Sequence, residues 1–170
     1  MTPWKLLPYL RSVIRDFNFW PQSEGDSPLK FAYVDGSLTS DIITKVDTRL
    51  RRAANEANSA YQLPLTRDVA TEDFETTFGN LIQGAVTELQ TAKTNYQADP
   101  TTFNALETAS EALEFLVQLY AGFKNLANKA ITKVSVDGEP YVTLIISGEW
   151  SGVGGADLTT IYASTTLVQS

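Results

Sequence analysis

A chain of 170 residues with 43% hydrophobic and 19% charged side chains has the composition of a folded globular domain, long enough for one packed core. Its 13 Lys and Arg against 20 Asp and Glu leave a net charge of −7, a surface that repels phosphate and argues against a main role in gripping nucleic acid. There is no Cys and no His, which excludes disulfides, thiolate nucleophiles, zinc–thiolate sites, Ser-His-Asp triads and histidine-based phosphoryl transfer.

In chain order, residues 3–17 predict a first helix. Leu6, Leu7, Leu10, Val13, Ile14 and Phe17 keep helical spacing, and Thr2-Pro3 or the turn at Pro8 can open it. The Leu-Leu-Pro-Tyr-Leu run is too short, and with Arg11 and Arg15 too charged, for a signal peptide, so synthesis and folding in the cytoplasm are expected. No stretch approaches the roughly 20 apolar residues of a membrane span. The helix runs into Phe17-Asn18-Phe19-Trp20, which Pro21 terminates. That aromatic cluster is either core or an anchor for a pocket on a neighbouring subunit.

Gln22 to Pro28 is polar and turn-rich, a surface loop, and Leu29 to Val34 then predicts a short strand closed by Asp35-Gly36. A further helix is expected over 40–61. Ile43, Val46, Leu50, Ala53 or Ala54, Ala57 and Tyr61 form its apolar stripe, and Thr39 or Ser40 caps it. Arg49, Arg51 and Arg52 are either a solvated face paired with Asp47 and Glu56, or a docking patch for an acidic partner or phosphate. Residues 62–67, with Pro64, form a linker.

The central stretch, Asp68 to Ala130, predicts two long helices folded back on each other at Ala98-Asp99-Pro100 as an antiparallel αα-hairpin. Phe74, Phe78, Leu81, Ala85, Leu89, Ala92 and Tyr96 form one stripe. Phe103, Leu106, Ala109, Leu113, Leu116 with Val117, Tyr120 and Phe123 form the other. Asp68, Glu72, Asp73 and Glu75 suit the first helical turn, Asp99 an N-cap before Pro100, and Lys124, Lys129 and Lys133 the far end. Glu107, Glu111 and Glu114, one turn apart, allow carboxylate chemistry or a hard cation, but they lie off the apolar stripe and read as a solvated acidic face.

After Ala130 the texture becomes β. Ile131 to Val136, the turn Asp137-Gly138, and Tyr141 to Ser147 predict a hairpin, and the run Leu144-Ile145-Ile146 predicts a strand covered on both faces. Gly148 to Asp157 is a flexible glycine-rich loop. It lacks the Lys-Ser/Thr of a phosphate-binding loop and the third Gly of a dinucleotide motif. Leu158 to Val168 is a long final strand with neither face strongly apolar, which closes the chain's own sheet or adds to a neighbour's edge.

The expected fold is therefore a single α+β domain over 1–170. Its helical region spans about 1–130 with a short strand near 29–34, and a β-rich region spans about 131–170, where the long hairpin and one or two further helices pack on a small, mostly antiparallel sheet. The expected core includes Leu10, Ile14, Ile43, Val46, Leu50, Phe74, Phe78, Leu81, Leu89, Leu106, Leu113, Leu116, Tyr120, Leu144 and Ile146. With the usual catalytic types missing or unconstellated, the expected function is non-enzymatic: a structural subunit of a larger particle, with a virion component of connector, tail or cement type the favoured setting. The alternative is a small acidic binding module recognising a basic partner. Partners would be other copies of the chain or other structural proteins of the particle, with no cofactor, metal or membrane. Candidate interface residues are Trp4, Phe17, Phe19, Trp20, Arg49, Arg51, Arg52, Trp150, Ile161, Tyr162 and Leu167.

Overall fold

The structure, a computed structural model, describes residues 8–9, 11–12, 29–36, 67–136, 140–151 and 158–168. Within them lie strands β1 (Lys30–Asp35) and β2 (Arg67–Asp73), helix α1 (Phe74–Ala98), a 3-10 turn (Pro100–Thr102), helix α2 (Phe103–Phe123), and strands β3 (Ala127–Val136), β4 (Tyr141–Trp150) and β5 (Thr159–Val168). The strands form one sheet in the order β1-β5-β4-β3-β2, every neighbouring pair antiparallel. The architecture is α+β. Both helices are inserted between β2 and β3, which pair with each other, while β1 and β2 take opposite edges.

Paired residues point to the same face of a sheet. The register Phe31↔Ala163, Ala163↔Ile146 and Ile146↔Ile131 therefore lays an apolar row across β1, β5, β4 and β3. Leu144, Ile161 and Leu167 extend this face, and the helices cover it with Phe74, Phe78, Phe115, Leu116, Leu119 and Phe123. Each such side chain, fully enclosed, contributes about 1.5–3 kcal/mol. The other face also buries residues, among them Thr132, Val134, Thr143, Ser147 and Thr160, with Ile145 and Tyr162 packed beside Ala32 and Val34. Thr160 is fully buried and its hydroxyl donates to the Gly36 carbonyl at 2.6 Å, while Gly36 N–H donates to Leu158 O at 2.8 Å. Gly36 makes this closure at φ +85°, a conformation glycine adopts without Cβ strain.

The two helices pack along each other. Phe74 and Phe78 meet Tyr120 at ring distances of 5.7 and 5.9 Å at one end, and Tyr96 meets Phe103 at 6.0 Å at the other. Asp99 caps the 3-10 turn between them, accepting from Thr101 N–H at 3.1 Å and Thr101 Oγ1 at 2.7 Å, with Pro100 directly after it. Its carboxyl is held below the usual carboxylate value by those bonds from Thr101.

Several sequence expectations are corrected. Asp68 to Asp73 is not a first helical turn but edge strand β2, paired residue by residue with β3 from Arg67↔Val136 to Asp73↔Ala130. Helix α1 starts at Phe74, and Asp73 is its N-cap, accepting from Thr76 N–H at 2.8 Å and Thr76 Oγ1 at 2.9 Å. The ladder and the cap together outweigh the local helical pattern, and Val69 and Thr71 suit a strand. At the other end α2 stops at Phe123 rather than Ala130. Leu126 N–H turns back to Phe123 O at 3.0 Å, Asn128 takes φ 48°, and Lys129 and Lys133 belong to β3 rather than to a helix terminus. The glycine-rich segment loses its first part to β4, which runs to Trp150. Gly148 sits where a Cβ would lie 2.7 Å from Leu126 Cβ, so the close approach of the post-helix turn to the sheet requires its missing side chain.

Of the expected core, Phe74, Phe78, Leu116, Leu144 and Ile146 are buried, whereas Leu81, Leu89, Leu106, Leu113 and Tyr120 are half-buried. Leu10, Ile14, Ile43, Val46 and Leu50, and with them most of the predicted helices over 3–17 and 40–61, lie outside the described residues. The buried set gains Phe115, Leu119, Ile131, Ile145, Ile161, Ala163 and Leu167.

Candidate interaction surface

The densest polar cluster joins β2, α1, α2 and β3. Lys133 Nζ lies 3.0 Å from Glu72 Oε1, and Thr77 Oγ1 donates to Glu72 Oε2 at 3.1 Å. Tyr120 OH donates to Glu75 Oε2 at 2.8 Å, and Lys129 Nζ lies 3.5 Å from Glu75 Oε1. Lys129 also donates to the Lys124 carbonyl at 2.6 Å and sits 5.6 Å from the centre of the Phe74 ring. A Tyr, a Glu and a Lys together could in principle move protons. Here the Glu75 carboxylate, accepting the Tyr120 hydroxyl, raises the phenol above its usual value, with burial and the carboxylate charge acting the same way. That is the wrong direction for a base at neutral pH. Lys129 is occupied by a carbonyl and a carboxylate. The cluster is a clamp that fixes the helix ends to β2 and β3. Among the described residues no group of three or more Asp or Glu converges as a metal site would require.

Three sequence candidates for an interface prove to be interior. Ile161 and Leu167 have no exposed surface and lie under the helices, and Tyr162 is enclosed on the opposite face. Strand β5 is hydrogen-bonded to β4 along its whole length and to β1 from Thr159 to Ser164, so over that stretch it offers no edge to a neighbour. The reason is its central place in the sheet, which makes a core strand of a sequence with no clearly apolar face. Trp150 is half-buried at the end of β4, against the same core. Trp4, Phe17, Phe19, Trp20, Arg49, Arg51 and Arg52 lie outside the described residues.

Apart from Tyr9, Tyr33 and Tyr141, the exposed large apolar side chains among the described residues fall in two places. The edges of the sheet differ. Arg11 Nη2 donates to the Phe31 carbonyl at 3.0 Å on edge strand β1, whereas among the described residues no strand pairs with the outer side of β2. There Val69 is 54% exposed, and Ala70, Thr71 and Asp73 are exposed as well. The second place is the helix pair. Beyond Ala85 on α1 and before Leu113 on α2 no side chain joins the main core, and Phe103 and Val117 are 50% and 44% exposed. One groove of about 580 Å³ runs between Thr87, Thr91, Ala92 and Ala105, Ala109, Ala112. Another of about 430 Å³ is lined by Leu89, Lys93, Phe103, Leu106, Glu107, Ser110 and Glu111.

Sequence reasoning missed both places. The β-branched Val69 and Thr71, two residues apart, were the available signal for β2. For the second groove it was Phe103 and Val117 falling to one side of the main stripe. Comparison with protein families, with curated proteins and with solved structures finds no match for this chain. No helix among the described residues is long and apolar enough to cross a membrane.

Proposed function

We propose that the protein is a non-enzymatic structural subunit of a larger homo- or hetero-oligomeric particle, with a virion component of connector, tail or cement type the favoured setting. The observation that carries this reading is the open edge of β2. A seven-residue strand with its outer side unpaired among the described residues, beside an exposed valine, is a template for another chain. At the other edge Arg11 donates to the Phe31 carbonyl of β1. In this reading α1 and α2 act as one antiparallel αα-hairpin, held to the sheet by the Glu75–Lys129 pair and the Thr77–Glu72 hydrogen bond and presented away from it at the 3-10 turn. The chemistry of the chain supports it from the other side, because a sequence without His or Cys lacks the commonest catalytic groups.

Light scattering across a concentration range tests the reading. The expected result is a mass that is a multiple of 18.7 kDa, reduced by Val69→Lys, which places a charge on the pairing edge without touching the core. A species of 18.7 kDa at every concentration overturns self-assembly.

The second reading is an acidic binding module for a basic partner. Glu107, Glu111 and Glu114 favour it, all three exposed along one border of α2 beside an apolar groove.

A further inference from the structure

The outer groove of the helix pair has a shape and a charge pattern of its own. At 3.6 residues per turn, Phe103 and Val117 lie roughly opposite Leu119, the residue of α2 that is fully buried against the sheet. Phe103, Leu106, Ser110, Leu113 and Val117 follow one another at steps of three and four, a second stripe on α2 beside Phe115, Leu119 and Phe123 that meets the main core only at Leu113. Helix α1 answers with Ile82, Val86 and Leu89, all half-buried and at the same steps. Among the described residues the helix layer is therefore apolar on two sides, one closed by the sheet and one uncovered between Leu89, Phe103 and Leu106.

The walls of that groove are unequal. On the α2 side Glu107 and Glu111 line it, and Glu114, which accepts from Gln118 at 3.3 Å, continues the row one turn on; all three are exposed, and among the described residues none is held in an ion pair. On the α1 side stands a single exposed cation, Lys93. A second copy of this surface would bring six glutamates together against two lysines, counting three and one from each copy, and like charges set against each other disfavour the contact. An apolar floor bordered by one acidic wall suits a different occupant.

We infer that this groove docks an amphipathic helix of a partner protein, with its apolar stripe on Leu89, Phe103 and Leu106 and a row of Lys or Arg along the Glu107–Glu111–Glu114 wall. Lys93 on the facing wall rejects a helix that is basic on both flanks, and so sets the direction in which the partner lies. This site is independent of the β2 edge. In an assembly the helix belongs to a neighbouring component, and in a binding module it belongs to the target.

The test uses the full chain and a synthetic amphipathic helical peptide of about 18 residues, with leucines at helical spacing and lysines on one flank, and a control peptide with glutamates in place of the lysines. Fluorescence anisotropy should show the lysine peptide binding and the control not, with affinity falling as salt is added. Phe103→Asp and Leu106→Lys should each weaken binding about tenfold or more. Should either variant fold poorly by circular dichroism, the triple variant Glu107→Gln, Glu111→Gln, Glu114→Gln, which alters only exposed side chains, should lower affinity about tenfold at low salt and flatten the salt dependence. Equal binding of both peptides, no binding of either, or binding indifferent to the triple variant overturns the proposal. So does a dimer that Phe103→Asp dissociates, since the occupant is then a second copy. Val69→Lys reads out the sheet edge alone, so failure of one site leaves the other measurable.

Discussion

The two ends of the helix pair are built from similar residues and live in different surroundings. At the sheet end, Phe74 and Phe78 on α1 and Phe123 on α2 are buried to 1% exposure or less, and the rings of Phe74 and Phe78 stand 4.7 Å apart. The Glu75–Lys129 pair to β3 and the Thr77–Glu72 hydrogen bond to β2 fix the start of α1 there. At the other end Tyr96 and Phe103 meet edge to face, Leu89 and Leu106 are half-buried, and none of these four joins the main core. The comparison teaches that periodicity marks which residues share a face but not how much each burial stabilises. The sheet end owes its stability to a third layer. The far end has one seam between two helices, and is the part expected to open first.

The largest effect that would sharpen this contrast is a pair of truncations. Phe78→Ala should cost about 3–5 kcal/mol in denaturant unfolding, because an enclosed ring leaves a cavity. Leu89→Ala, half-buried at the far end, should cost about 1 kcal/mol. Equal losses would break the distinction between the ends.

Next in size is Gly148→Ala. The added methyl would stand 2.7 Å from Leu126 Cβ and Cδ1, so the turn after α2 must shift, at about 1–3 kcal/mol, read as a lower melting temperature. A neutral result would mean that this turn moves freely, and that the sheet end is less rigid than its packing implies.

The smallest effect concerns Asp73, which caps α1 at the sheet end. Bonds from Thr76 N–H and Oγ1 to its carboxylate depress its pKa below 3.8. A group with a depressed folded pKa stabilises the protein above its unfolded value and loses that contribution as pH falls through the folded one. Stability should therefore decline as pH drops below about 4, and Asp73→Asn, which keeps a capping oxygen but cannot titrate, should flatten part of that decline. Asp99, its carboxyl depressed by Thr101 at the far end, retains its own share. A melting-temperature series against pH for wild type and Asp73→Asn measures the difference, and superimposable curves would show that the titration of Asp73 contributes nothing to the acid decline.

Much of the fold was legible because its periodic signals were long. Both helices, β1, the β3–β4 pair and β5 fall near where spacing and turn residues put them, and Asp99-Pro100 marks the break between the helices. The surface was less legible. Ile161, Tyr162 and Leu167 looked available because β5 reads as an undistinguished threonine-rich strand, yet its place between β4 and β1 buries them. The edge of β2 was hidden because Asp68, Glu72, Asp73 and Glu75 resemble the acidic first turn of a helix.

By itself, the sequence determined which residue types are absent, that two long amphipathic helices break at Asp99-Pro100, and that an α+β arrangement follows, since these depend on composition and on periods repeated over many turns. The tertiary structure alone decided that Asp68 to Asp73 is a strand, that α2 ends at Phe123 and that both faces of β5 are interior. Over segments this short, intrinsic preferences amount to tenths of a kcal/mol per residue. A ladder of backbone hydrogen bonds to β3, a side-chain cap at Asp73 and the close packing of Gly148 against Leu126 outweigh them together.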